Sequence, residues 1–207
     1  MKNKIIFISL FFVLNSINAQ KLELTEEEKI EFKNRAERMI KLFTETLTII
    51  PSFNSETEEK ILRDKAIRNT LRLFTETATM QIMRADGSKE TSPIATYLNS
   101  LTNYEEKLEL VHIDIIEFNI DEIRPHPTQL GSYIVSFEFV QRFSKKKNYT
   151  PEPVDNDEKL QKIEWDYVDI TTKSGSAIIK KHTDQSGTKW IMLLDDVEAN
   201  DIEVTKN

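Results

Sequence analysis

The sequence predicts an α+β domain with a helical first half and a strand-rich second half, and three observations carry that prediction. The spacing of apolar residues changes from three-and-four steps to alternation near Ala78. Two Ser/Thr-x-x-Glu motifs, Thr25 to Glu28 and Ser55 to Glu58, stand before the two longest helical patterns. The four glycines, Gly87, Gly131, Gly175 and Gly187, all read as punctuation between elements.

The first helix follows Thr25, whose oxygen can accept from a free backbone N–H while Glu28 reaches back. Phe32, Ala36, Met39, Ile40, Phe43, Leu47 and Ile50 then form one apolar stripe, and Pro51 ends it. Behind Ser55 a second helix carries Leu62, Ala66, Ile67, Leu71 and Phe74 on its predicted inner face. Residues 77–84 read as a strand closed by the turn Asp86-Gly87. Ser92-Pro93 predicts the start of a short third helix, with Ile94, Tyr97, Leu98 and Leu101 facing inward.

Beyond Glu105 the pattern is strand. Residues 108–120 are rich in isoleucine, and Tyr133, Val135, Phe137, Phe139 and Phe143 alternate with polar residues. Segments 165–172 and 177–182 are predicted as a hairpin joined by Lys173-Ser174-Gly175-Ser176, with another strand at 190–194. Short turns between strands imply an antiparallel sheet. Arg124-Pro125-His126-Pro127 reads as a stiff connection, and residues 148–162, with Pro151 and Pro153, as an exposed polar loop.

The N-terminus carries Lys2 and Lys4, an apolar run over residues 5–14 broken only by Ser9, and Ala19 before Gln20. This is the layout of a secretory signal peptide, with an apolar core about half the roughly 20 residues of a membrane span. The expected division is a signal peptide at residues 1–19 and a single domain at 20–207, exported to the periplasm or the exterior. Ile17 is larger than the residue usual at that position. The chain has no cysteine, so neither a disulfide nor a lipidated N-terminal cysteine is available. Cleavage removes Lys2 and Lys4 and moves the net charge from −7 to −9. That balance disfavours nucleic acid and anionic membranes as partners, and the lysine run at Lys145 to Lys147 reads as a solvated strand end.

The order of elements resembles that of the NTF2-like (cystatin-related) α+β cone, and in particular its exported members of unknown activity. The residues that carry the resemblance are Leu73-Phe74-Thr75-Glu76-Thr77-Ala78 at the helix-to-strand passage, Val140-Gln141-Arg142-Phe143, and Tyr167-Val168-Asp169-Ile170-Thr171. It implies N-terminal helices packed in a strongly bent antiparallel sheet, with a pocket at the open end of the cone. Members include isomerases, dehydratases, hydrolases and non-catalytic binding or dimerising domains, so the fold does not choose among them.

For chemistry, His112 and Asp114 share one face of a strand, in phase with the apolar Leu110, Ile116 and Phe118. Gln141 interrupts an apolar phase, and Tyr167 and Asp169 share a face with Trp165. A polar residue in an apolar phase draws interest because burial without a partner costs free energy. The candidate ligand-binding residues are therefore Tyr97, His112, Asp114, Gln141, Tyr167 and Asp169. Their bland alternative is solvation at strand ends, or bonding to one another. The three histidines, His112, His126 and His182, are far apart, and Asp195, Asp196, Glu198 and Asp201 lack the spacing of a calcium loop. No metal, cofactor or catalytic residue is assigned. The expected function is an exported non-catalytic domain that binds a small apolar ligand or a protein partner. A homodimer through the sheet face is a further expectation. The alternative is a pocket enzyme, an isomerase or hydrolase using Asp114 or Asp169 as base and a tyrosine as donor.

Overall fold

The structure, a computed structural model, describes residues 23–52, 57–102, 109–147 and 164–205. The expected signal peptide, the second capping motif at Ser55 and the polar loop at 148–162 lie outside them. Helix α1 (Glu26–Ile49) starts as its sequence requires: the Thr25 backbone N–H donates to Glu28 Oε2 at 2.8 Å, and the Glu28 N–H donates to Thr25 Oγ1 at 3.2 Å. All seven residues of the apolar stripe are buried, and a single 3-10 turn (Ile50–Ser52) follows. Helix α2 (Thr57–Leu71) buries Ile67 and Thr70, and the Thr70 hydroxyl donates to Thr46 Oγ1 of α1 at 2.8 Å. Leu62, expected inside, is exposed along with Ile61, because the buried side of α2 is narrow and centred on Ile67.

Strands β1 (Thr79–Met83) and β2 (Lys89–Pro93) make a hairpin around Gly87, whose φ of 80° only glycine adopts without strain. The polar run of β2 hid it from the alternation pattern. Pro93 ends β2 and caps helix α3 (Ile94–Ser100), and the Ile94 N–H donates to Ala78 O at 3.0 Å. Strands β3 (Leu110–Ile120), β4 (Arg124–Pro125), β5 (Tyr133–Lys146), β6 (Tyr167–Asp184) and β7 (Gly187–Thr205) complete the sheet. The order is β2-β1-β7-β6-β5-β3, with β4 beside β5.

Among the described residues the architecture is therefore α+β, with three helices and an open seven-stranded sheet. The sheet is mixed rather than wholly antiparallel. Strand β1 returns from the helical half to lie parallel to β7, pairing Met80 with Val197, and Phe74 bridges Leu194 in the same sense. The Asp195 and Asp196 carboxylates secure this seam: Thr75 Oγ1 donates to Asp195 at 2.8 Å, and the Thr79 N–H donates to Asp196 at 2.7 Å. Asp195 and Asp196 of the acidic stretch thus have a structural occupation.

A second difference concerns Gly175. The predicted hairpin at Lys173 to Ser176 does not form, and β6 runs unbroken through it, paired with β5 on one side and β7 on the other. The glycine serves packing instead. A Cβ at position 175 would stand 2.4 Å from Phe137 Cζ, so the Phe137 ring occupies the space a side chain would take. Phe43 meets Phe74 and Phe139 edge-on, and Phe137 stacks near Phe139, forming an aromatic centre between α1 and the sheet. No helix among the described residues is long and apolar enough to cross a membrane.

Candidate functional site

Because strand side chains alternate, the helix-facing side of β5 and β6 can be read from the buried residues. Tyr133, Val135, Phe137 and Phe139 face the helices, and Gln141 and Phe143 continue that phase. Their partners on β6 are Ile179, Ala177, Gly175, Lys173, Thr171 and Asp169. The inner face therefore changes character along its length. It is apolar toward Tyr133 and polar toward Phe143, where Gln141, Thr171, Asp169 and Lys173 are all buried and Tyr167 is half-buried at the edge.

Lys173 is 3% exposed, and its Nζ donates to Gln81 O of β1 at 2.8 Å, crossing β7 where its neighbour is the small Ala199. The Gln81 side chain answers by accepting from the Ala199 N–H at 3.2 Å. Thr171 Oγ1 donates to Asp169 Oδ1 at 3.0 Å, and the Tyr167 hydroxyl bonds the same carboxylate. The Tyr167 ring packs edge-on against Phe143 with centroids 6.3 Å apart. Gln141 is 4% exposed, and its Oε1 has no hydrogen-bond partner among the described residues.

Burial sets the protonation of this row. Loss of water around Lys173 pulls its amine down to about 8, with the Asp169 charge opposing the shift. Burial raises the Asp169 carboxyl above its ordinary range, although bonds from Thr171 and Tyr167 and the Lys173 charge pull the other way. Burial, then the Asp169 charge and hydrogen bond, pushes the Tyr167 phenol up to about 12. Each member is driven toward its neutral form, as expected where ionised groups lose water.

The sequence-predicted residues divide into three places. Gln141, Tyr167 and Asp169 belong to the inner row. Tyr97 is buried in the core on α3. His112 and Asp114 lie on the outer face of β3, because its core-facing residues are Val111 and Ile113. There His112 Nε2 pairs with Asp114 Oδ1 at 2.9 Å, and the His112 ring stacks on Trp165 with centroids 6.1 Å apart. Trp165 thus covers the outer face beside His112. A register shift between Ile115 and Glu117 explains the misreading of phase, since it leaves Ile116 exposed.

Lys173 and Thr171 are the members that sequence reasoning missed. Lys173 fell inside the supposed hairpin turn; its position two residues before Gly175, in phase with Asp169 and Thr171, was the available signal. The other histidines stay apart. His126 Nδ1 accepts from the Gln129 N–H at 3.0 Å in a turn, and His182 stands exposed near the β6–β7 tip. No group of three metal-ligating side chains occurs among the described residues. The lysine run is matched by acidic and carbonyl oxygens: Lys145 reaches Glu109 at 3.4 Å, Lys146 reaches Glu164 O at 2.8 Å, and the Lys147 N–H donates to Asp166 at 2.7 Å. No protein-family profile matches the sequence, and no curated protein matches it significantly.

Proposed function

We propose that this is an exported NTF2-like binding domain that holds a small, largely apolar ligand against the polar row of its inner sheet face. The observation that carries the reading is the buried, unpartnered Oε1 of Gln141. A buried acceptor without a donor costs about 1–3 kcal/mol, and a ligand hydroxyl or N–H would remove that cost. Aromatic residues beside the row, Phe139 and Phe143, suit an apolar ligand body. The NTF2-like part is supported by the order helix, helix, strand hairpin, short helix and long strands. Native mass spectrometry of gently purified protein is the test. The expected result is a bound small molecule that Gln141→Leu abolishes while raising the stability of the empty protein. Absence of any adduct, with Gln141→Leu no more stable, would sink the proposal.

A second reading is a pocket enzyme with Asp169 as base and Tyr167 as donor. It is favoured by the convergence of a buried carboxylate and a tyrosine on one face, both shifted by desolvation. Half-exposed Asp114, on the outer face, has no part in it. Turnover of a carbonyl-activated substrate that Asp169→Asn abolishes would support this reading over simple binding.

A further inference from the structure

Resting on the ligand-binding reading, we infer that Lys173 captures a carbonyl: its Nζ, held in the inner polar row by Gln81 O, condenses with the aldehyde or ketone of a small apolar ligand. The geometry supplies what such a lysine needs. Its amine is withdrawn from water and fixed by one acceptor at 2.8 Å, which leaves the nitrogen lone pair available in the neutral form. Asp169 and Tyr167 stand on the same face of the same strand. Across from Lys173 the neighbouring strands offer Phe139 and Ala199, neither of which is charged, so Asp169 is the charge that acts on the amine.

The reaction balances without an oxidant or reductant. The lone pair forms a C–N bond as the C=O π bond breaks, one amine proton passes to that oxygen to give a carbinolamine, and the hydroxyl leaves as water with the second amine proton when the C=N bond closes. Asp169, a carboxylate on the same face whose proton affinity is raised by burial, takes the second amine proton and passes it to the departing hydroxyl, and Tyr167 bonds that carboxylate. With its amine at about 8, Lys173 is roughly one-tenth neutral at pH 7. That is about 200-fold more than a lysine near 10.4.

Hexanal and sodium cyanoborohydride at pH 7, followed by peptide mass mapping, provide the test. Lys173 should be alkylated at least tenfold faster than exposed lysines such as Lys65 and Lys180, with the advantage shrinking by pH 10. Alkylation of Lys173 no faster than Lys65 overturns the inference. Hexan-1-ol, which cannot form an imine, is run in parallel by thermal shift. Stabilisation by the alcohol without preferential labelling removes this inference and leaves the binding reading standing. Lys173→Met should lose the fast site and keep the Lys65 rate; if that variant does not fold, the wild-type map and its pH profile decide.

Discussion

Gly175→Ala tests the packing that replaced the expected turn. A Cβ there would lie 2.4, 2.9 and 3.1 Å from three atoms of the Phe137 ring, whereas ordinary contact begins near 3.4 Å. Relief requires the ring to move by about 1 Å, yet Phe137 is 2% exposed and packed beside Phe139. Overpacking of this kind costs about 1–3 kcal/mol, with loss of the whole ring, about 3–5 kcal/mol, as the ceiling. In a domain of this size that lowers Tm by about 2–12 °C. Denaturant unfolding followed through Trp165 and Trp190 fluorescence measures it. The double variant Gly175→Ala with Phe137→Leu should be less destabilised than the sum of the singles, because a smaller side chain vacates the contested space. An ordinary strand glycine predicts the opposite sign, since alanine there gains about 0.5–1 kcal/mol. A neutral or stabilising Gly175→Ala, with additive behaviour in the pair, would refute the packing argument.

Four further outcomes follow from the same structure. Thr25→Ala should cost about 1 kcal/mol by removing the α1 cap, visible as a Tm drop of about 2–4 °C. Asp196→Ala should loosen β1 from β7, raising amide exchange at Thr79 and its neighbours and costing about 1–2 kcal/mol. The folded Lys173 binds fewer protons than the unfolded one between about 8 and 10.5, so stability should rise with pH across that window. Tyr167, whose folded value is about 12 against 10.0, reverses the trend above pH 10; denaturant midpoints from pH 7.5 to 11 trace both, and Lys173→Met should erase the rise. Tyr167→Phe removes a bond that favours the Asp169 carboxylate, so a carbon NMR titration should find that carboxyl displaced further upward.

Much of the architecture was legible because local signals agreed with the fold. The Thr25 capping box and the Phe32-to-Ile50 stripe specify α1 at two levels, and Tyr133 to Phe139 alternate as a half-buried strand must. The failures have local causes. Gly175 carries the composition of a turn, and its packing role depends on Phe137, nearly forty positions away, which no window around Lys173 contains. The phase of β3 was inverted by a bulge that leaves no mark in composition. Strand β2 is polar because its side chains are mostly exposed, so hydrophobic periodicity is silent there. The candidate site was half visible for the same reasons. Gln141 and Asp169 stood out as polar residues in apolar phase, whereas Lys173 looked like a solvated loop residue and its burial is a tertiary fact.

The parallel seam between β1 and β7 has a consequence for how the chain reaches this state. Strand β7 is synthesised after β1 and β6, yet it lies between them, and Met80 waits for Val197 before the seam can close. Loop-closure entropy over such a separation must be met before the contact rewards it, which places β1 docking late and makes folding slow for the domain's size. Helix α1 has only part of its platform until then, and its stripe of Phe32, Met39 and Phe43 stays open to water or to a chaperone. The seam is thus kept from closing until β7 is present. Removal of the last β7 residues should leave a species that collapses without closing its sheet.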